Sequence, residues 1–313
     1  MPLQTTKKTK AKPFLKWAGG KTQLLPTIDA FLPESFRKEK NVTYIEPFVG
    51  GGAMLFHMLQ RYPNIKRAII NDINTHLINT YTVIRDKPYA LIDSLKEIQS
   101  QYRSYITHES QKDFYLQIRE RFNIGNLSDI EEATCMIFIN RTCFNGLYRE
   151  NSKGKFNVPF GKYNNPTICD ESLIISDSEI LQRVEILNGD FSKTDSYVDG
   201  YTFFYFDPPY RPLDATSNFN SYVKEAFNDN EQKRLKDFYT DLSAQGCYEL
   251  LSNSDGRAKN ENDSFFDNLY KDFIIERVNA KRSINANPAK RGPLTELLIR
   301  NYASCQGSTI ISF

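Results

Sequence analysis

The sequence predicts an α/β fold, a mainly parallel, doubly wound sheet interrupted by a second, smaller domain. Three observations carry that expectation. Short β-rich runs at 42–46 (VTYIE), 67–71 (RAIIN), 183–188 (RVEILN), 201–206 (YTFFYF) and 247–252 (CYELLS) are each followed by turn or helix signals, and strands alternating with helices build parallel sheets. The connection from Asp72 to the run near Val184 spans about a hundred residues, whereas strand–helix connections usually take about 2–6, so something is inserted there. A last pair of runs, DFIIERVNA and LTELLIRNY, flanks a polar link bearing Pro and Gly and suits an antiparallel pair at the sheet edge.

The chain begins with a basic tail, residues 1–12, carrying Lys7, Lys8, Lys10 and Lys12. In PFLKWAGGKTQLL, residues 13–25, the GGKT invites a Walker A reading, but that motif needs a glycine where Leu15 stands and a strand before it; a phosphate loop is disfavoured. YIEPFVGGGAMLFHML, residues 44–59, reads as a strand, a turn at Gly50, Gly51 and Gly52, and a helix from about Ala53. Such a turn either lets the backbone approach a ligand closely or is simply tight. The next run, RAIINDIN, ends on Asp72, where an acid can grip a ribose through its hydroxyls or cap a helix. No basic residue sits in the glycine turn, so the pair points to an adenosine-type ligand rather than a bare phosphate. EILNGDF puts Asp190 and Phe191 beyond a third strand, able to bond and flank an adenine ring or to form a capped turn over a core phenylalanine.

The run YTFFYFDPPYRPL, residues 201–213, is apolar enough to be interior and then stops abruptly. Neither proline can donate a ladder hydrogen bond, and the first also restricts Asp207. Asp207, Pro208, Pro209 and Tyr210 therefore form a stiff tip at the end of a strand, where open α/β sheets bind ligands. Three strand-end acids, Asp72, Asp190 and Asp207, converge on one functional reading.

The insertion holds two helix-like segments, SQKDFYLQIRERFN and IEEATCMIFINRTCF, and then the irregular NGLYRENSKGKFNVPFGKYNNP. Between Arg141 and Tyr163, Arg141, Arg149, Lys153, Lys155 and Lys162 face a single acid, Glu150, and are interleaved with Phe144, Tyr148, Phe156 and Phe160. That composition suits a loop reading a nucleic-acid groove and equally a solvated basic face. A second basic cluster, Lys281, Arg282, Lys290 and Arg291, lies in the late polar link.

Composition bounds these readings. The 313 residues are 40% hydrophobic and 25% charged, as in globular proteins of one large or two ordinary domains. Net charge is only +2, so affinity for a polyanion must come from local patches. There is no apolar run of about 18 residues, and MPLQTTKKTKAK lacks the apolar stretch of a signal peptide; a cytoplasmic protein without membrane contact is expected. The five cysteines form no C-x-x-C pair and the three histidines are scattered, so reduced, mostly buried thiols and no metal are expected.

FLKWAGGK, EPFVGGGA, NDIN, NGDF and DPPY, in that order, resemble the Dam-type DNA adenine methyltransferases, from about Pro13 to Tyr302. The resemblance implies a Rossmann-like sheet that uses S-adenosylmethionine, with a catalytic domain at 13–72 and 181–302. It implies a linking helix and a mainly helical target-recognition domain with a β-hairpin at 73–180, and tails at 1–12 and 303–313. It implies that Trp17, Ala18, Gly19, Lys21, Phe48, Gly50, Gly52 and Asp207 line the cofactor site, Asp72 holding the ribose and Asp190 with Phe191 the adenine. Asp207 and the Pro208 carbonyl would accept hydrogen bonds from the target amino group, Pro209 would stiffen the tip, and Tyr210 would stack on the base. Lys16, Leu147, Arg149 and Pro159 would read a GATC site in duplex DNA, with Phe144 and Asn145 at the intruding tip and Tyr163 near the phosphates.

Base flipping, a cognate restriction endonuclease acting separately and a monomeric enzyme complete what the family suggests. An RNA methyltransferase of the same fold and a catalytically idle DNA-binding module are the alternatives. Carbon methylation of cytosine would need a thiolate, usually in a Pro-Cys pair, and no cysteine here follows proline. One departure stands out: the family commonly carries serine where this chain has Asp214, an unfavourable charge near phosphates.

Overall fold

A computed structural model describes residues 9–211, 227–280 and 294–303. Asp214, Lys7, Lys8 and the late basic cluster from Lys281 to Arg291 lie outside the described residues, as does most of the 303–313 tail. Seven strands, β1 (Val42–Glu46), β2 (Ile65–Asp72), β3 (Val184–Asn188), β4 (Tyr201–Phe206), β5 (Tyr248–Ser254), β6 (Ile274–Ala280) and β7 (Leu294–Arg300), form one sheet of order β3-β2-β1-β4-β5-β7-β6. β1 pairs in parallel with β2 and β4, and β4 with β5, while β7 runs antiparallel to both β5 and β6. The five β-rich runs and the late antiparallel pair are thus all strands, in the mixed α/β arrangement expected.

The helices are α1 (Leu25–Phe31), α2 (Glu34–Lys38), α3 (Ala53–Arg61), α4 (Thr75–Asp86), α5 (Pro88–Ser104), α6 (His108–Ile124), α7 (Asp129–Thr142), α8 (Glu171–Leu181), α9 (Asp229–Ala244) and α10 (Phe265–Leu269). None of the described helices is long and apolar enough to cross a membrane. The described residues divide into two compact units, 9–20 with 50–61 and 74–188, and 21–49 with 62–73 and those from 189 onward.

In the second unit β1 is buried at every position and β4 at all but its first. Runs such as VTYIE and TFFYF, with no polar alternation, belong in strands covered on both faces. Tyr44 and Phe203 stack at 6.3 Å across β1 and β4, and Phe36 of α2 meets Phe203 edge-on at 5.2 Å. β1, β4 and β5 therefore form a rigid centre whose ends can hold side chains in register.

The first unit is mainly helical. α7 opens with a capping box, Ser128 and Glu131 each bonding the other's backbone N–H, and is buried from Ala133 to Asn140. It packs against α4, α5 and α6, which is why IEEATCMIFINRT shows no one-sided apolar stripe. Asn140, fully buried, accepts from the Lys16 N–H (2.9 Å) and donates to the carbonyls of Lys16 (2.9 Å) and Gly146 (3.0 Å). One helical side chain thereby fixes both the 9–20 segment and the loop after α7. Beyond α7 the expected hairpin takes the form of two isolated antiparallel bridges, Cys143 with Phe160 and Glu150 with Phe156. The turn is closed by Asn157 N–H to Arg149 O (3.0 Å) and Asn151 N–H to Lys155 O (2.9 Å).

Candidate active site

The DPPY tip leaves the carboxyl end of β4. Its backbone is braced from the neighbouring elements: Gln232 of α9 donates to Pro209 O (3.1 Å) and receives from Asn253 of β5 (3.2 Å), while Ser254 Oγ donates to Arg211 O (2.9 Å). No described residue donates to Pro208 O.

Among the described residues Asp207 meets two donors, Lys21 Nζ at 3.1 Å and Ser252 Oγ at 3.0 Å, and both fall on Oδ1. Lys21 is only 5% exposed. Its ammonium also lies 3.8 Å from Glu296 Oε2 and 4.4 Å from the centre of the Tyr210 ring, and the Tyr210 hydroxyl donates to Glu296 Oε2 at 2.8 Å. The lysine of GGKT therefore faces the carboxylates of Asp207 and Glu296, an arrangement unlike that of a phosphate loop. Desolvation raises the Asp207 carboxyl above its ordinary range, opposed by the Lys21 charge and the Ser252 hydroxyl. Behind it, burial pushes Glu46 at the end of β1 up to about 8, although Tyr44 donates to it at 2.6 Å. Ser252 and Glu296 are components that no sequence motif marks, and Glu46 stands in the EPFVGGGA run without a role read from it; they come from strands that only the sheet brings together.

Asp190 and Phe191 follow β3. Asp190 Oδ1 accepts from the N–H (3.0 Å) and hydroxyl (2.6 Å) of Ser192, as the capped-turn alternative supposes, and Phe191 is 3% exposed. The same carboxylate is gripped at both oxygens by Arg234 of α9 (2.9 and 2.7 Å), whose guanidinium lies 4.1 Å from the Phe191 ring centre. That arginine holds the Asp190 carboxyl well below the usual range. Phe48 lies 5.3 Å from Phe191. Asp72 ends β2, and the cap of α4 comes from Asn74, which accepts from Leu77 N–H at 2.9 Å; the capping alternative for Asp72 does not hold.

In the first unit the glycine turn is occupied by aromatic groups. Gly50 and Gly52 have φ of +49° and +75°, a Cβ on Gly50 would lie 3.0 Å from the Trp17 ring, and Tyr81 donates to Gly50 O at 3.0 Å. Trp17 stacks on Tyr148 at 5.1 Å, while Ala18 and Gly19 are exposed.

Six of the seven residues expected to touch DNA share one neighbourhood of this unit. Lys16 Nζ lies 5.1 Å from the Tyr163 ring centre, Tyr163 accepts from Asn145 N–H at 2.9 Å, and Phe144 N–H donates to Pro159 O at 2.8 Å. Cys143 Sγ bonds Leu147 O from the same turn (3.3 Å). Phe144 (50%) and Leu147 (36%) are exposed. Arg149 stands further along the hairpin, its Nε bonded to Asn157 Oδ1 at 2.7 Å.

This geometry joins similarity over nearly the whole chain. Residues 17–284 match the model of the D12 class N6 adenine-specific DNA methyltransferases. The chain is 47% identical over 294 residues to the type II methyltransferase M.MjaIII of Methanocaldococcus jannaschii, covering 93% of this chain and 99% of that one. It is 40% identical over 309 residues to the type II methyltransferase M1.LlaDCHI of Lactococcus lactis subsp. cremoris, covering 97% and 100%. It is 33% identical over 290 residues to a DNA adenine methylase of Vibrio cholerae, covering 92% and 95%. With its α/β sheet and its strand-end acids, the chain belongs to the D12 class N6 adenine-specific DNA methyltransferases.

Proposed function

We propose that the protein transfers a methyl group from S-adenosylmethionine to the N6 amino group of an adenine flipped out of duplex DNA, within GATC, by direct in-line displacement. The observation that carries the mechanism is the one-sided engagement of Asp207: both donors among the described residues take Oδ1, so Oδ2 and the Pro208 carbonyl are the acceptors offered to the two amino hydrogens. Adenine's amino nitrogen is a poor nucleophile because its lone pair is delocalised into the ring. Two fixed acceptors favour a pyramidal nitrogen and stabilise the positive charge that develops on it. Lys21 and Ser252 hold the carboxylate still, and Tyr210 stacks on the base, worth about 1–3 kcal/mol against the few kcal/mol that flipping costs.

The donor set in the second unit suits the cofactor. Asp72, at the end of β2, would hold the ribose hydroxyls; Phe48 and Phe191 offer rings to a flat base, and Asp190 offers a carboxylate to its amino group once Arg234 yields that position. When bound, S-adenosylmethionine supplies a methyl group already activated by the sulfonium. For Trp17, Ala18, Gly19, Lys21, Gly50 and Gly52 the cofactor role rests on the family resemblance.

Residues 13–72 and 181–302 form the catalytic domain in this reading and 73–180 the recognition domain, with Lys16, Phe144, Asn145, Leu147, Arg149, Pro159 and Tyr163 meeting DNA. M.MjaIII and M1.LlaDCHI are both named type II methyltransferases, which supports a restriction–modification setting with a separate endonuclease. One extruded adenine needs one set of acceptors, so the enzyme acts as a monomer, in the cytoplasm with its DNA.

Base-resolved methylation sequencing of unmethylated duplex DNA, after incubation with the protein and S-adenosylmethionine, tests this. N6-methyladenine confined to GATC is expected. Methylation at another adenine site would overturn the site assignment alone, and full activity of Asp207→Ala would overturn the mechanism.

A further inference from the structure

We propose that Glu296 is a positioning residue for methyl transfer, one that sets the orientation of the Tyr210 ring; this rests on the roles proposed above for Asp207 and Tyr210. Three adjacent strands each contribute to one cluster. β4 delivers Asp207 and Tyr210 beyond its end, β5 delivers Ser252, and β7, whose Glu296 stands in register with Ser254 of β5, delivers Glu296. The antiparallel entry of β7 beside β5 is what brings a carboxylate from the end of the chain to the DPPY tip. Side chains carried by paired strands hold a site more firmly than loop residues do.

The geometry divides the work between two groups. The Tyr210 hydroxyl lies on the axis of its ring, so its 2.8 Å bond to Glu296 Oε2 fixes where that axis points but leaves rotation about it free. Lys21, 4.4 Å from the ring centre, removes that rotation, because a cation prefers the face of an aromatic ring. With one face held by the ammonium, the flipped base stacks on the other. Glu296 thus acts through Tyr210, and what it supplies is an acceptor in a fixed place.

The full-length protein tests this with Glu296→Ala, Glu296→Gln, Tyr210→Phe and the double variant Glu296→Ala/Tyr210→Phe. Turnover and KM for duplex DNA are measured, together with the fluorescence of 2-aminopurine at the target position, which reports how the extruded base is stacked. Glu296→Ala and Tyr210→Phe are each expected to lower kcat about tenfold, the scale of one hydrogen bond to a charged acceptor, and to change the fluorescence alike. The double variant should be no slower than either single one, and Glu296→Gln, which keeps an acceptor oxygen, should recover most of the activity. Effects that multiply in the double variant, or a Glu296→Gln as slow as Glu296→Ala, would overturn the positioning role. If Glu296→Ala does not fold, Tyr210→Phe against Glu296→Gln still decides, since only a lost hydrogen bond slows the first and spares the second. Failure of the underlying reading looks different: the wild-type protein would then show no fluorescence change at the target base, or Asp207→Ala would stay active.

Discussion

Asp207 is a carboxylate held between opposing influences, and its titration follows from them. Desolvation raises its pKa and Lys21 resists that rise. With the ionised form as the proposed acceptor, the rate should fall as pH drops through a pKa above the ordinary carboxylate range. Lys21→Met removes the opposing charge, so the acid limb of the kcat/KM profile should move to higher pH and the rate at neutral pH should drop about tenfold or more; an unmoved limb would separate Lys21 from Asp207. Glu46 makes a stability prediction of its own. Its carboxyl, pushed up to about 8 by burial, stays protonated in the fold while the unfolded chain ionises near 4.5. The stability tied to it is fully present below that unfolded value and is lost as pH rises towards 8, at up to about 1.4 kcal/mol per pH unit. Glu46→Gln keeps the acceptor for Tyr44 without the titration. Urea midpoints should therefore depend less on pH between 5 and 8 in the variant, and the variant should be the more stable near pH 8.

Among the elements, α7 shows how one helix serves two segments at once. Asn140 makes three hydrogen bonds from a fully buried position, to the backbone of Lys16 on both sides and to Gly146. Asn140→Ala strands those backbone groups and should cost about 2–4 kcal/mol in thermal or urea unfolding. It should weaken DNA binding as well, since the 9–20 segment and the 143–163 loop carry the residues assigned to DNA. A basic, aromatic loop was legible from its composition and the hairpin from the family resemblance, but not its form: a ladder reduced to two bridges reflects a loop in which Arg149, Asn151 and Asn157 bond locally. Lys153 and Lys155 stand exposed at its turn. If both meet phosphates, replacing them with alanine should lower the slope of log K against log salt by about 2, at about 0.9 per contact; an unchanged slope would make the turn a solvated face.

At the scale of the whole molecule, a net charge of +2 offers no long-range field to hold DNA, which is why that prediction rests on a few lysines. The sequence alone determined the strands, the insertion and the stiff DPPY tip, because each is local: apolar runs of five or six residues, a break in connection length, two prolines that cannot extend a ladder. The strand-end acids Asp72, Asp190 and Asp207 were visible for the same reason. Only the tertiary structure decided what stands opposite them. Ser252 and Glu296 reach Asp207 and Tyr210 because β5 lies beside β4 and β7, ahead of β6, lies beside β5. Arg234 reaches Asp190 from a helix some forty residues later, and Lys21, which a motif would assign to a phosphate, is buried between carboxylates. Hydrogen bonds and ion pairs of this kind depend on distances of about 3 Å between residues far apart in sequence, and no local pattern encodes them.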